Sequence, residues 1–159
     1  METTKTLQTT AKTVQAKTYL CHTQKTTLSK MMEKIGEQVD DLYQAVTKHG
    51  LEKAGVIEFI YLDCNGKQDD PFILKLAIPV KAAAIVNDEQ FKLEDTSEFK
   101  CLTYIHKGDI TEIGSVYESL YENIWGQGIK PSNQVREVYE KFVSLDSPEN
   151  STEIQVGVN

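Results

Sequence analysis

Laid against itself with an offset of 78 residues, the chain aligns Ile35-Gly36 with Ile113-Gly114, Leu42-Tyr43 with Leu120-Tyr121, Gly50 with Gly128, Tyr61 with Tyr139 and Val80 with Val158, without a gap. Intervening apolar positions keep their character: Val39 faces Tyr117, Val46 faces Ile124, Ile57 faces Val135, Ile60 faces Val138, Leu76 faces Ile154 and Ile78 faces Val156. Identity is low, so the weight rests on glycines and apolar positions falling at the same structural points. A repeat of this kind requires one supersecondary unit to be built twice.

Each copy reads the same way. Ile35, Val39, Leu42 and Val46 recur every three or four residues, as do Ile113, Tyr117, Leu120 and Ile124, which predicts one amphipathic helix per copy. Gly50 and Gly128 stand where a left-handed C-terminal cap is wanted, and Pro131 cannot continue the second helix. Strands are predicted over 14–22, 57–62 and 72–80 in the first copy and over 99–106, 135–142 and 152–158 in the second, with turn signals at Asn65-Gly66 and Asp146-Ser-Pro148. The modules run from about residue 12 to 80 and 99 to 158, joined by a linker over 81–98 with an edge strand at 91–94. One helix on three strands buries too little alone. The expected fold is therefore a single α+β domain: duplicated strand-helix-strand-strand modules forming an antiparallel sheet, with two helices on one face and a central groove between them. Apolar grooves of that kind are where small ligands bind.

Charge narrows the partners. Lys and Arg number 17 against 24 Asp and Glu, a formal net charge of −7, which argues against a sequence-independent nucleic-acid binder that replaces counterions with clustered cations. With 40% hydrophobic residues the chain is neither disordered nor collagenous. The longest apolar run, residues 76–86, is interrupted by Pro79 and Lys81 and is too short for a membrane span, and Met1-Glu2-Thr3-Thr4-Lys5 lacks the apolar core of a secretory signal. A cytoplasmic location is expected. Cys21, Cys64 and Cys101, odd in number and far apart, read as reduced thiols packed as small hydrophobes. His22, His49 and His106 show no zinc-site spacing, so neither a metal nor another cofactor is expected.

The second half carries an ordered series: Ile105-His-Lys-Gly-Asp109, Tyr117-Glu-Ser-Leu-Tyr121, Trp125, Arg136-Glu-Val-Tyr139 and Thr152-Glu-Ile-Gln-Val156. In that order and at those distances it resembles the GyrI-like small-molecule-binding family, which is related to effector-binding domains of bacterial multidrug-responsive regulators. The resemblance covers the last 60 or so residues, and the first half joins it through the repeat. It implies a pseudo-twofold sheet and helix pair whose groove takes lipophilic, often cationic, molecules around an acidic residue. The family's usual proline in the last strand is Gly157 here, and Asp109 stands where a loop proline is common. The chain is used up by the two modules with no helix-turn-helix segment, so the resemblance implies a stand-alone binder rather than a direct transcription factor. An alternative it also implies is a hydrolase of cyclopropane-bearing DNA-alkylating compounds working in the same groove. A protein partner is a weaker reading, because no basic or apolar surface stripe stands out.

Glu137 is the residue that breaks the pattern. Alternation places Val135, Glu137 and Tyr139 on one face of their strand, and the matching face of the first copy is Ile57, Phe59 and Tyr61. A carboxylate where the sister module has phenylalanine is either a buried glutamate satisfied by an internal hydrogen bond or a lysine, or the counter-charge for a cationic ligand. As an enzyme, the same glutamate, its pKa raised by desolvation, would act as general acid or base with Tyr104 or Tyr139 assisting. Tyr104, Tyr121, Trp125, Tyr139, Phe59 and Tyr61 fall on elements bordering the groove, where ring faces attract a cation. Tyr117 and Tyr43 read as core residues with a wet hydroxyl. Glu153 is expected on a solvated face, and Asp109 is expected to cap the second helix.

Overall fold

Hydrophobic period decides the element types, and the computed structural model, which describes residues 7–81 and 85–159, shows where each begins and ends. In order they are β1 (Thr10–Val14), β2 (Thr18–Thr26), α1 (Leu28–Met31), α2 (Ile35–Lys48), β3 (Glu58–Leu62), β4 (Phe72–Val80), β5 (Lys92–Asp95), β6 (Phe99–Lys107), a 3-10 turn (Ile110–Glu112), α3 (Ile113–Gly126), β7 (Pro131–Lys141) and β8 (Ser151–Val158). The described strand pairs within the units are antiparallel, so the fold is α+β. The chain divides into two units, one formed by Gln15–Glu98 and one by residues up to Val14 with Phe99–Asn159.

In the first of these units the strand order is β3-β4-β2-β5. β2 and β4 pair from Thr18 opposite Val80 to Thr26 opposite Phe72, and Leu20, Leu74, Leu76 and Ile78 are fully buried. α2 buries Leu42, Ala45 and Val46, the stripe that its 3.6-residue period demands. It ends as the sequence predicts: Gly50 adopts a φ of +66°, Leu51 N–H donates to Val46 O at 2.9 Å and Gly50 N–H to Thr47 O at 3.1 Å. That is a Schellman closure, which a left-handed residue makes possible. Glu58 is 1% exposed between Tyr19 Oη, which donates to it at 2.9 Å, and Lys17 Nζ at 3.2 Å.

The strand expected over 14–22 is two strands. Residues 15–17 break it, and Lys17 is instead held by Thr96, whose N–H donates to Lys17 O at 2.8 Å while Lys17 N–H donates to Thr96 Oγ1 at 3.1 Å. β1 consequently pairs with β6, Thr10 opposite Thr103 and Val14 opposite Phe99.

The second unit has the order β1-β6-β8-β7. Along β8 every residue from Ser151 to Gly157 is buried. On one face Leu102, Ile154 and Val156 pack with Ile113, Leu120 and Ile124 of α3. On the other face lies a polar layer, which corrects the expectation that Glu153 is solvated. Glu153 is 7% exposed because Lys12 of β1 reaches both its carboxylate oxygens at 3.1 Å, and Gln155 Nε2 donates to it at 2.6 Å. Arg136 is buried too, its guanidinium 4.1 Å from the Phe99 ring centroid and its Nε donating to Gln134 Oε1 at 2.7 Å. Asp109, expected to cap the second helix, instead caps the 3-10 turn that leads into α3, accepting from Thr111 N–H at 2.8 Å, while Glu112 stands at the N-cap of α3. Cys21 and Cys101 are buried free thiols, and Cys64 is half-buried.

Gly157 shows why β8 ends as it does. The pairing of β7 with β8 is irregular between Pro131 and Val135, and the displaced β7 backbone crowds the last strand. A Cβ on Gly157 would lie 2.3 Å from Ser132 Oγ, 2.8 Å from Gln134 O and 2.8 Å from Phe99 Cε1. Gly157→Ala is therefore expected to destabilise the protein by about 1 to 3 kcal/mol, the usual range for overpacking, read as a lowered urea midpoint. An unchanged midpoint would show that this corner has slack.

Candidate functional site

β7 pairs with β8 in regular register from Val135 opposite Val156 to Tyr139 opposite Thr152. β6 flanks β8 on its other side, with Leu102 opposite Val156, Tyr104 opposite Ile154 and His106 opposite Thr152. Three rows thus cross the face that meets α3: Leu102, Val156, Val135, then Tyr104, Ile154, Glu137, then His106, Thr152, Tyr139. The first row is apolar and the third is polar. Glu137 sits at their boundary.

Glu137 is 5% exposed, and each carboxylate oxygen accepts a phenol hydroxyl: Tyr139 Oη at 2.6 Å on Oε1 and Tyr117 Oη at 2.5 Å on Oε2. Such lengths belong to charge-assisted O–H···O⁻ bonds, roughly twice as strong as neutral ones. The Tyr139 bond is local, because residues two apart on a strand share a face. The Tyr117 bond is not, since it joins α3 to the sheet. From Tyr117 a row of rings runs along α3 at helical spacing: Tyr117 and Tyr121 stack at 6.4 Å between centroids, and Tyr121 and Trp125 lie 5.7 Å apart.

The sequence-predicted residues divide. Glu137, Tyr139, Tyr121 and Trp125 come together in this unit, and Tyr104 packs on the same core as Tyr117 and Tyr121. Trp125, expected on an element bordering the groove, lies at the solvent end of the row and is 62% exposed; the packed stripe of α3 is Ile113, Leu120 and Ile124. Phe59 and Tyr61 belong to the other unit, where Phe59 is buried opposite Leu76 and Tyr61 is half-buried and stacked on Phe72 at 5.6 Å. Tyr117 is the functional residue that sequence reasoning missed. The sequence carried little signal for it: Tyr117 falls on the apolar helical stripe, and only its hydroxyl, bonded to Glu137, sets it apart.

A surface cleft of about 720 Å³ lies in the other unit between α2 and the segment before β5, lined by Asp41, Lys48, Asp88 and Phe91 among others. It contains none of the predicted site residues. Asp88 is bonded to His49 Nε2 at 3.0 Å and to the Gln90 amide at 2.9 Å, and these bonds, His49 first, hold its carboxyl down to about 2. A folded-state pKa below the unfolded value stabilises above the unfolded pKa and is lost as pH falls toward the folded one. Asp88→Asn is thus expected to flatten the acid loss of stability between roughly pH 4 and pH 2, measured by pH-dependent melting. An acid limb identical to that of the wild type would contradict the bond.

An antiparallel sheet carrying helices in this order is an α+β fold. The chain is a member of the GyrI-like small molecule binding domain family, which it matches over residues 7–159. Its fold is similar to the crystal structure of the EcmrR C-terminal domain, at 20% identity and a TM-score of 0.81, over 96% of this chain and 98% of that one. Against EcmrR in its DNA complex the match spans 97% of this chain and 58% of that chain, at 20% identity and a TM-score of 0.83. SAV2435 bound to tetraphenylphosphonium (12% identity, TM-score 0.67, 96% and 94% covered) and a hydrolase encoded by lin2189 from Listeria innocua (15%, 0.65, 95% and 91%) share the fold. None of the curated proteins matches the chain. Among the described residues no helix is long and apolar enough to cross a membrane.

The two phenol bonds are expected to be worth measurable stability. Tyr117→Phe and Tyr139→Phe each remove one donor from a buried carboxylate, so each should destabilise by about 1 to 3 kcal/mol in urea denaturation. Neutral effects of both would mean that the carboxylate is satisfied without them.

Proposed function

We propose that this domain binds small lipophilic cations at the Glu137 cluster. The observation that carries the reading is a carboxylate 5% exposed whose two oxygens are fixed by Tyr139 and Tyr117, at the buried end of a ring row that reaches solvent at Trp125. Phenol donors hold a carboxylate in place through short, charge-assisted hydrogen bonds. An arriving cation gains the charge at the bottom and ring faces along the way, about 0.5 to 2 kcal/mol per ring. A fold relative, SAV2435, was solved with tetraphenylphosphonium, a cation of this type, which supports the reading.

The duplication is part of the same proposal. Its support is that α2 and α3 start 78 residues apart and run for 14 residues each, and that Phe59 opposite Leu76 and Glu137 opposite Ile154 are pairs displaced by the same 78. On this reading one copy keeps the apolar ancestral face and the other has acquired the acid.

The test is Glu137→Gln, which keeps shape and removes charge. Titration with tetraphenylphosphonium should show binding weakened by roughly 1.5 to 3 kcal/mol, the scale of a hydrogen bond to a charged group, with neutral ligands of similar size unaffected. Equal affinity of both proteins for the cation would defeat the reading. The same preparations incubated with a cyclopropane-bearing electrophile decide the hydrolase alternative: consumption of the electrophile by the wild type, lost in Glu137→Gln, would assign the carboxylate to catalysis.

A further inference from the structure

We propose that Thr152 is a ligand-contacting residue of this site and that it selects protonated amines, cations with N–H donors, over permanently alkylated ones. The inference rests on the Glu137 cluster being a cation site. Its own observation is the Thr152 hydroxyl: the residue is 0% exposed and its Oγ1 has no hydrogen-bond partner among the described residues. Buried hydroxyls are bonded in the great majority of native structures, and an exception calls for an explanation.

Position says for what. Strand alternation puts Thr152 on the face of Ile154 and Val156, the face that packs with α3. Its cross-strand neighbours are Tyr139 on β7 and His106 on β6. Both are committed, Tyr139 donating to Glu137 and His106 Nε2 donating to Asp109 O at 2.8 Å. Glu137 is the diagonal neighbour, opposite Ile154 two residues along β8. Diagonal positions on one sheet face lie about 7 to 8 Å apart, near enough for one ammonium nitrogen to reach both side chains.

The sequence points to the same corner. Offset by 78, Glu137 replaces Phe59 and Thr152 replaces Leu74. Packing alone favours the apolar member at each position, and Leu74 is itself fully buried. Two polar exchanges at diagonal positions of one sheet face mark the same corner. An ammonium group can donate one N–H to the carboxylate and another to Thr152 Oγ1. A quaternary ammonium presents only C–H groups there and leaves the hydroxyl bare.

The experiment is calorimetric titration of the full chain at neutral pH with 1-naphthylmethylammonium and with its N,N,N-trimethyl counterpart, which share ring and charge. The wild type should bind the primary amine about 10-fold or more tightly over the quaternary one, the range of one hydrogen bond with a charged partner. Thr152→Val should bring the two within about 2-fold by weakening the amine alone, whereas Thr152→Ser should keep the preference. Because an orphan hydroxyl is being replaced by methyl, Thr152→Val should also raise the melting temperature of the ligand-free protein by about 2 to 4 °C. A lowered melting temperature, equal affinities in the wild type, or a preference that survives in Thr152→Val overturns the role of Thr152. Absence of saturable binding of either probe by the wild type overturns the cation site itself, and this inference with it.

Discussion

The Tyr117–Glu137–Tyr139 bonds set the constraint that the rest of the second unit obeys. A carboxylate on the side of a sheet that packs against a helix must find donors there, since an unpaired buried charge costs several kcal/mol. One donor can come from the strand itself, and Tyr139 supplies it. The other has to come from above, so α3 must present Tyr117 at the level of Glu137. That requirement fixes the rotation of the helix. With Tyr117 over the acid, Leu120 and Ile124 fall on Ile154 and Val156, and all four are 0% exposed. Polar satisfaction and hydrophobic packing therefore select the same helix phase, which is the agreement between levels that gives one native arrangement instead of several.

The opposite face of that sheet solves a related problem with opposite signs. Lys12 brings a cation to Glu153, and Arg136 lies over Phe99. Both faces of β8 are buried, yet the helix face carries the aromatic-rimmed acid and the other face carries charges compensated pairwise. The thiol of Cys101 reports the difference, pushed up to about 11 chiefly by burial with the Glu153 charge adding to it. A nucleophilic thiolate is disfavoured there.

What the sequence made legible was whatever local pattern determines. Helical periods gave both long helices, Gly50 and Gly128 gave their left-handed caps, and 72–80 was read as the strand that β4 is. Glu137 was legible because Phe59 stands 78 residues before it, at the offset that aligns the two halves of the sequence. The failures all depend on distant partners. Glu153 looked solvated because Lys12, 141 residues away, covers it. The strand expected over 14–22 divides because Thr96, 79 residues from Lys17, captures the segment between its halves. Tyr117 looked like an ordinary helix tyrosine because its role requires knowing which strand passes beneath it. Periodicity states which face is buried and cannot state which polar atoms a burial will pair.

Register is what finally makes the site possible. The ladder between β7 and β8 is regular only from Val135 to Tyr139, bracketed by irregularities toward Pro131 and toward Lys141. A slip of one residue within it would turn Arg136 and Val138 toward α3 and send Glu137 into the layer of Lys12 and Glu153, exchanging every side chain between faces. The bracketing irregularities oppose such a slip, since each adds backbone that has room in only one alignment. Gly157 belongs to this device: the extra β7 backbone fits because no Cβ projects from the partner strand at that point. A glycine at the end of the last strand and a carboxylate in the middle of its neighbour are thus coupled, although neither touches the other. The space left at Gly157 fixes the alignment, and the alignment puts the acid, Tyr139 and Thr152 on the face where α3 brings Tyr117 down to meet them.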